Sequence, residues 1–131
     1  MKTRTIKFRI WNPVRKEMSF LEEGYLECYV AVGEECIPMQ FTGLLDSKGK
    51  EIYEHDIIQL SKDGRKTSFP LIVRYFEPLA RFILHRNMDK IKFINDIDKN
   101  IEQINYEDKK IIGNIYENSR FLVTSEKSIT S

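Results

Sequence analysis

The stretch that decides the fold is MQFTGLLDSKGKEIYEHDII, at residues 39–58. A short apolar run leads into the polar segment DSKG at 46–49, and strand-forming residues resume at Glu51. Two runs of strand formers on either side of a short loop that contains glycine are typical of a β-hairpin. The sequence therefore predicts a hairpin at the centre of the chain, with its turn at residues 46–49.

Further short runs of strand-forming residues lie on both sides of this hairpin, and turn residues separate them. They cover residues 6–10, 16–21, 25–32, 71–76, 81–85 and 111–116. Glu77-Pro78 stands between two of these runs and predicts a second hairpin, because proline ends a strand. The side chains expected to be largely buried are Phe8, Ile52, Ile57, Val73 and Phe82. Short strands with turns between them favour a small, bent antiparallel sheet or barrel.

One late segment carries helical rather than strand periodicity. Isoleucines at 94, 97, 101 and 104 recur at the spacing of one helix face, which predicts an amphipathic helix over residues 96–104. The last residues, 124–131, are polar, and we expect a frayed tail behind a single domain at 1–123. The expected fold class is mainly β, a β-rich α+β domain with one late amphipathic helix.

The composition is that of a chain with one hydrophobic core. At 131 residues and 41% hydrophobic content, the chain can bury a core without a metal or a disulfide. Its 21 basic and 20 acidic side chains give a net charge of +1, which supplies no overall attraction to nucleic acid or anionic lipid. We expect a cytoplasmic protein with no membrane partner, because no apolar run approaches the length of a membrane span. Thiols are normally reduced in that compartment, and the pairing of Cys28 with Cys36 stays open.

The residues that could bind a metal or catalyse a reaction match no known pattern. Zinc ligands usually occur as closely spaced pairs, whereas the cysteines and histidines of this chain are widely spread. They are Cys28, Cys36, His55 and His85. Glu54 and Asp56 would share one strand face, which leaves a small metal-dependent hydrolase open. We favour the alternative that Asp56 bonds to nearby backbone amides, in which case Asp56→Asn should change stability modestly. The sequence predicts no catalytic, metal-binding or cofactor-binding residue, which favours a non-enzyme without deciding the matter.

Two groups of basic residues are candidates for contact with nucleic acid. Lys7, Arg9 and Trp11 alternate along one predicted strand, and this combination of basic and aromatic residues occurs in proteins that bind single strands. A second group, in a polar loop, consists of Lys62, Arg65 and Lys66. The alternative is a solvated outer sheet face, on which lysines also prevent pairing between sheet edges.

Three motifs stand out in the order KFRIW at 7–11, MQFTGLLDSKGKEIYEHDII at 39–58 and IIGNIYEN at 111–118. Together they resemble the YopX family of small phage and prophage proteins. His55 stands where the family usually has glycine, so His55 must tolerate a positive φ if that glycine needs one. The closing motif reads NSRFL at 118–122, where the family usually reads Asn-Pro-Glu-Leu-Leu.

The resemblance implies a mainly β domain carried by phages and integrated prophages, and it implies no catalytic residues. We expect a non-enzymatic interaction module that forms a homo-oligomer or binds another protein. Its interface should include an aromatic residue such as Trp11, Tyr25 or Tyr29. The alternative is a nucleic-acid-binding accessory protein that uses Lys7, Arg9 and Trp11.

Overall fold

The computed structural model describes residues 5–21, 36–91, 99–101 and 108–122. Within these ranges the chain forms short strands joined mostly by tight turns. In chain order they are β1 (Phe8–Asn12), β2 (Glu17–Leu21), β3 (Ile37–Leu45), β4 (Glu51–Tyr53), β5 (Asp56–Lys62), β6 (Arg65–Lys66), β7 (Leu71–Phe76), β8 (Arg81–His85), β9 (Lys99–Asn100) and β10 (Asp108–Asn114). Glu77–Leu79 and Ser119–Phe121 each form a single turn of 3₁₀ helix.

The described strands form two antiparallel sheets. The first has the order β2-β1-β3-β4, and the second has the order β10-β5-β7-β8-β9, with β6 paired to β5. The predicted central hairpin is β3–β4, in which Phe41 lies opposite Tyr53. The second predicted hairpin is β7–β8, in which Tyr75 lies opposite Phe82. The sheets curl into a half-barrel, so the prediction of a bent antiparallel sheet is confirmed.

The hydrophobic core is built mainly from the second sheet. One cluster of buried core residues consists of Ile52, Ile58, Leu60, Leu71, Val73, Leu84 and Ile101. All of residues 56–60 in β5 are buried, as expected for a strand with neighbours on both sides. Of the side chains predicted to be buried, Ile52, Ile57 and Val73 are fully enclosed, whereas Phe8 and Phe82 are half-buried.

The second strand of the central hairpin ends early, because the chain passes there from one sheet to the other. The backbone N–H of Glu54 donates to Gln40 O of the first sheet at 2.9 Å. The next N–H, of His55, donates to Val73 O of the second sheet at 2.7 Å. His55 has a φ of +71°, which ends the extended conformation and lets the chain turn. The expectation that His55 tolerates a positive φ is confirmed.

The predicted helix over residues 96–104 is wrong where the structure describes it. Lys99–Asn100 form β9, and Lys99 lies opposite Leu84 of β8. Ile101 is buried in the core. Pairing with β8 extends the second sheet while Ile101 fills the core, and this tertiary packing overrides the helical periodicity.

Several predictions concern residues outside the described ranges. They are the strand at 25–32, the remainder of the helix at 96–98 and 102–104, and the tail at 124–131. Cys28 lies outside the described residues as well. Cys36 is described, and it carries a free, half-buried thiol. Among the helices of the described ranges, none is long and apolar enough to cross a membrane.

Candidate functional site

A buried ion pair joins the two sheets. Arg9 of β1 and Asp56 of β5 are both nearly enclosed, at 5% and 3% exposure. Arg9 Nη1 lies 2.8 Å from Asp56 Oδ1, and Arg9 Nη2 donates to Glu54 O at 3.1 Å. The guanidinium group thus binds both the carboxylate and the backbone at the point where the chain changes sheets.

Side chains of the first sheet hold Arg9 in place. The cross-strand register puts Met39 opposite Arg9, and Arg9 Nη2 lies 3.7 Å from Met39 Sδ. The guanidinium carbon lies 5.0 Å from the centre of the Tyr53 ring, a cation–π arrangement. Asp56 Oδ2 accepts the Tyr53 backbone N–H at 2.8 Å, which is the predicted bond between Asp56 and a nearby amide.

Burial dominates the electrostatics of this junction. It raises the pKa of Asp56, while Arg9 and the Tyr53 N–H oppose that change. Burial also raises the pKa of Glu54. For His55, burial and the cations Arg9 and Arg74 lower the pKa to about 4. His55 is therefore neutral near pH 7, and its Nδ1 lies 3.0 Å from the Tyr116 hydroxyl.

The geometry does not assemble a metal centre from these residues. Glu54 and Asp56 are directed apart, because Asp56 pairs with Arg9 while Glu54 lines a cleft. Glu54 Oε2 lies 3.9 Å from His55 Nε2. Across the ranges that the structure covers, no three acidic, histidine or cysteine side chains are placed to hold a metal ion. His85 is buried at the end of β8, where its Nδ1 lies 2.8 Å from Asn87 O.

Asp46 ties the central motif to the closing motif. Its Oδ1 accepts the backbone N–H groups of Lys48 and Lys50 at 2.9 and 2.8 Å, which closes the turn of the β3–β4 hairpin. Its Oδ2 accepts the N–H of Ile111 in β10 at 3.1 Å. One buried carboxylate therefore shapes the first hairpin and attaches it to the edge of the second sheet.

The closing motif forms a compact turn against the junction. Asn114 Oδ1 accepts the N–H groups of Tyr116 and Glu117 at 3.0 and 2.9 Å, and the Asn118 side chain accepts the Asn114 N–H at 3.1 Å. A side chain at Gly113 would overlap Asn118. The turn directs Tyr116 onto Trp11, with the two rings stacked at 5.6 Å.

The candidate nucleic-acid face on β1 is largely enclosed, because its side chains make contacts inside the fold. Arg9 and Trp11 are buried, and Lys7 forms an ion pair with Glu51 and lies over the Phe41 ring. In the sequence, Lys7 and Arg9 alternate with apolar residues, and this pattern indicated a strand face exposed to solvent. The structure instead supplies counter-charges from distant parts of the chain. Trp11, named as a possible aromatic residue of an interface, is also buried, and Tyr25 and Tyr29 lie outside the described residues.

Two concave surfaces remain. The inter-sheet cleft, about 370 Å³, lies between β3 of the first sheet and the β7–β8 hairpin of the second. Its described lining includes Gln40, Phe41, Thr42, Glu54, Tyr75, Arg81 and Phe82. The basic hollow, about 440 Å³, is lined by Lys66, Thr67, Ser68, Phe69, Leu71, Arg86 and Lys99. Sequence reasoning missed both as sites, although it singled out Lys66 as part of a basic loop.

The family model described as YopX protein matches residues 20–123. The chain belongs to the YopX family. The matched range contains the central and closing motifs, whose side chains form the hairpin turn, the sheet junction and the turn after β10. In this chain, the two motifs therefore supply contacts that define the fold.

Two solved structures are similar to this chain over most of its length. Protein EF1440 from Enterococcus faecalis has a TM-score of 0.59 at 20% identity, covering 92% of this chain and 100% of that one. Protein YopX from Bacillus subtilis has a TM-score of 0.54 at 16% identity, with the same coverage of 92% and 100%. At these identities the likeness concerns the fold. A search of curated proteins gives no match.

Proposed function

We propose that this YopX-family chain is a non-enzymatic interaction module that self-associates through the inter-sheet cleft. The observation that carries the proposal is the chemistry of the cleft. Tyr75 is 45% exposed there beside an exposed arginine, Arg81, and the half-buried Phe82. Tyrosine and arginine in a concave pocket are the residues that contribute most to protein–protein binding.

Two separate groups of ring contacts lie on the two sides of the cleft. Tyr75 packs edge-on against Phe82 at 5.4 Å. On the first sheet, Phe41 contacts Tyr53 at 5.6 Å, and Tyr53 contacts Phe20 at 5.7 Å. Phe20 is 66% exposed on β2. An exposed ring of this kind replaces Trp11 as the aromatic anchor of the expected interface.

A second copy of the chain is the partner that the charges favour. The net charge of +1 leaves little repulsion between copies, and symmetric homo-oligomers are common among soluble proteins. We also propose that the chain has no enzymatic activity. Asp56 was the candidate carboxylate for catalysis, and its two oxygens are engaged by Arg9 and by the Tyr53 N–H. We also propose that the protein is phage- or prophage-derived and cytoplasmic, which rests on the family resemblance and the composition.

Size-exclusion chromatography with light scattering tests self-association. At high micromolar concentration we expect a mass of at least two chains. Tyr75→Ser should weaken association at least tenfold, as expected for an interface residue of this kind. Phe69→Ser is the matched control, because Phe69 is a similarly exposed aromatic residue outside the cleft, at 59%. A wild-type mass of one chain, or equal effects of the two substitutions, would contradict the proposal.

A further inference from the structure

The inter-sheet cleft carries two side chains of opposite charge. Among its described lining residues, Glu54 is the acidic one and Arg81, the first residue of β8, is the basic one. The Glu54 side chain is 24% exposed, whereas Arg81 is fully open to solvent. Within the described ranges, neither forms an ion pair with a charged partner, because the nearest such group to Glu54 is the neutral imidazole of His55. Both charges can therefore bind groups from outside the chain.

The backbone holds Glu54 and Arg81 in fixed positions. The Glu54 N–H donates to Gln40 O at 2.9 Å, and the Glu54 carbonyl accepts from Arg9 Nη2 at 3.1 Å. Arg81 lies opposite Phe76 in the β7–β8 hairpin. Both side chains thus start from a rigid framework, so little backbone freedom is lost when a partner binds.

The Glu54 carboxylate is incompletely compensated inside its own chain. Its pKa is raised, because burial outweighs the stabilisation from Arg9 and from a backbone hydrogen bond with Gln40. A guanidinium group from outside would supply positive charge and paired N–H donors in the geometry that a carboxylate accepts. The rings of Tyr75 and Phe82 line the same cleft, and arginine packs its planar group on aromatic faces. The cleft therefore suits an arginine.

We propose that Arg81 of each chain binds Glu54 in the cleft of a second copy and so holds a twofold-symmetric dimer. In such an interface the same surface of both chains meets, and each contact occurs twice. A cleft that carries both charges is complementary to itself in this arrangement. The exposed Arg81 reaches out of its own cleft, and the half-buried Glu54 receives it. This pairing rests on the proposed self-association, and it names the residues that recognise the second copy.

Charge reversals test the pairing at a concentration where light scattering gives a wild-type mass of two chains. Arg81→Glu and Glu54→Arg each bring like charges together in a homodimer, so each should weaken association at least about thirtyfold. An equimolar mixture of these two variants brings opposite charges together at both contacts, and the mass should return to two chains. The matched control Arg65→Glu, at an exposed arginine of β6 outside the cleft, should keep the wild-type mass.

Neutral variants keep the test decisive if Glu54→Arg does not fold, because they preserve the size of the half-buried side chain. Glu54→Gln and Arg81→Gln should each weaken association, and combining them should add almost nothing to the larger loss.

Three results would overturn the pairing. They are additive losses of the two neutral variants, equal effects of Arg65→Glu and Arg81→Glu, and a mixture of folded charge reversals that stays at the mass of one chain. The proposed self-association would still stand if Tyr75→Ser weakens association of the wild type. A wild-type mass of one chain at high micromolar concentration would overturn both proposals.

Discussion

The sheet junction and the basic hollow contain similar residues in opposite environments. At the junction, Arg9 of β1 is buried against Asp56 of the second sheet, and Trp11 against Tyr116 of the turn that follows β10. At the hollow, basic side chains surround Phe69, a ring that remains largely exposed. The difference lies in burial, because the fold encloses the first group and leaves Phe69 open to solvent. A basic and aromatic pattern in the sequence therefore does not by itself decide whether its side chains are buried or exposed.

The largest expected effect comes from breaking the ion pair of the junction. Arg9→Met should lower the free energy of unfolding by about 3–5 kcal/mol, because it leaves a carboxylate buried without its cation. Urea denaturation measures the loss. The exposed control Arg65→Met should change stability by no more than about 0.5 kcal/mol. A loss below about 1 kcal/mol for Arg9→Met would mean that the junction is not a structural tie.

A smaller effect is expected in the turn after β10. Gly113→Ala should lower stability by about 1–3 kcal/mol, because the added methyl group overlaps the Asn118 side chain. Combining it with Asn118→Gly removes the overlap, because the overlapping atoms are Oδ1, Cγ and Cβ of the Asn118 side chain, so the two losses should not add. Urea denaturation of both single variants and the double variant checks this. Additive losses would show that Asn118 is not the reason for glycine at this position.

His55→Gly should change stability by less than about 1 kcal/mol at pH 7. Relief of the positive φ offsets the loss of the contact between His55 and the Tyr116 hydroxyl. The clearer effect is on pH dependence. The pKa of His55 is about 6.5 in the unfolded chain and about 4 in the folded chain. Between these two values the unfolded chain binds a proton that the folded chain does not, so His55 lowers stability as the pH falls from 6.5 to 4. Between pH 6.5 and 4, His55→Gly should lose less stability than the wild type. An equal loss in the two proteins would contradict burial of the neutral imidazole.

The smallest effect on stability is expected at the basic hollow. Lys66→Ala and Phe69→Ser should each change the free energy of unfolding by no more than about 0.5 kcal/mol, because both side chains are exposed. Chemical denaturation checks this directly. A loss above about 1.5 kcal/mol for either would place that side chain in the structural framework, like Arg9.

Local signals were sufficient to predict the two hairpins. The β3–β4 turn carries Asp46 and Gly49, and Pro78 ends the strand before the β7–β8 turn, so neighbouring residues specify each of them. The break at His55 was not predicted, because strand-forming residues continue on both sides of it. The helix over residues 96–104 failed for a related reason. Lys99 and Asn100 pair with β8, a strand whose proximity the local sequence does not reveal.

The candidate sites were less predictable than the fold. The bond from Asp56 to a backbone amide is local, and it was predicted. Arg9 comes from a distant strand, and its pairing with Asp56 changes the expectation for Asp56→Asn. That substitution leaves a buried cation without its carboxylate, so the modest change expected from the sequence becomes a large loss. The basic hollow likewise depends on three elements that only the folded chain brings together.

A double-mutant cycle on Arg9 and Asp56 tests the central claim most directly, namely that this pair is a structural tie between the sheets. Urea unfolding is measured for the wild type, Arg9→Met, Asp56→Leu and the double variant. Arg9 Nε has no hydrogen-bond partner among the described residues, and an apolar pair removes both buried charges together, whereas each single variant leaves one charge buried alone. We predict a double variant more stable than either single variant, with an interaction energy of about 2–3 kcal/mol. Losses that add to within about 0.5 kcal/mol would contradict the claim.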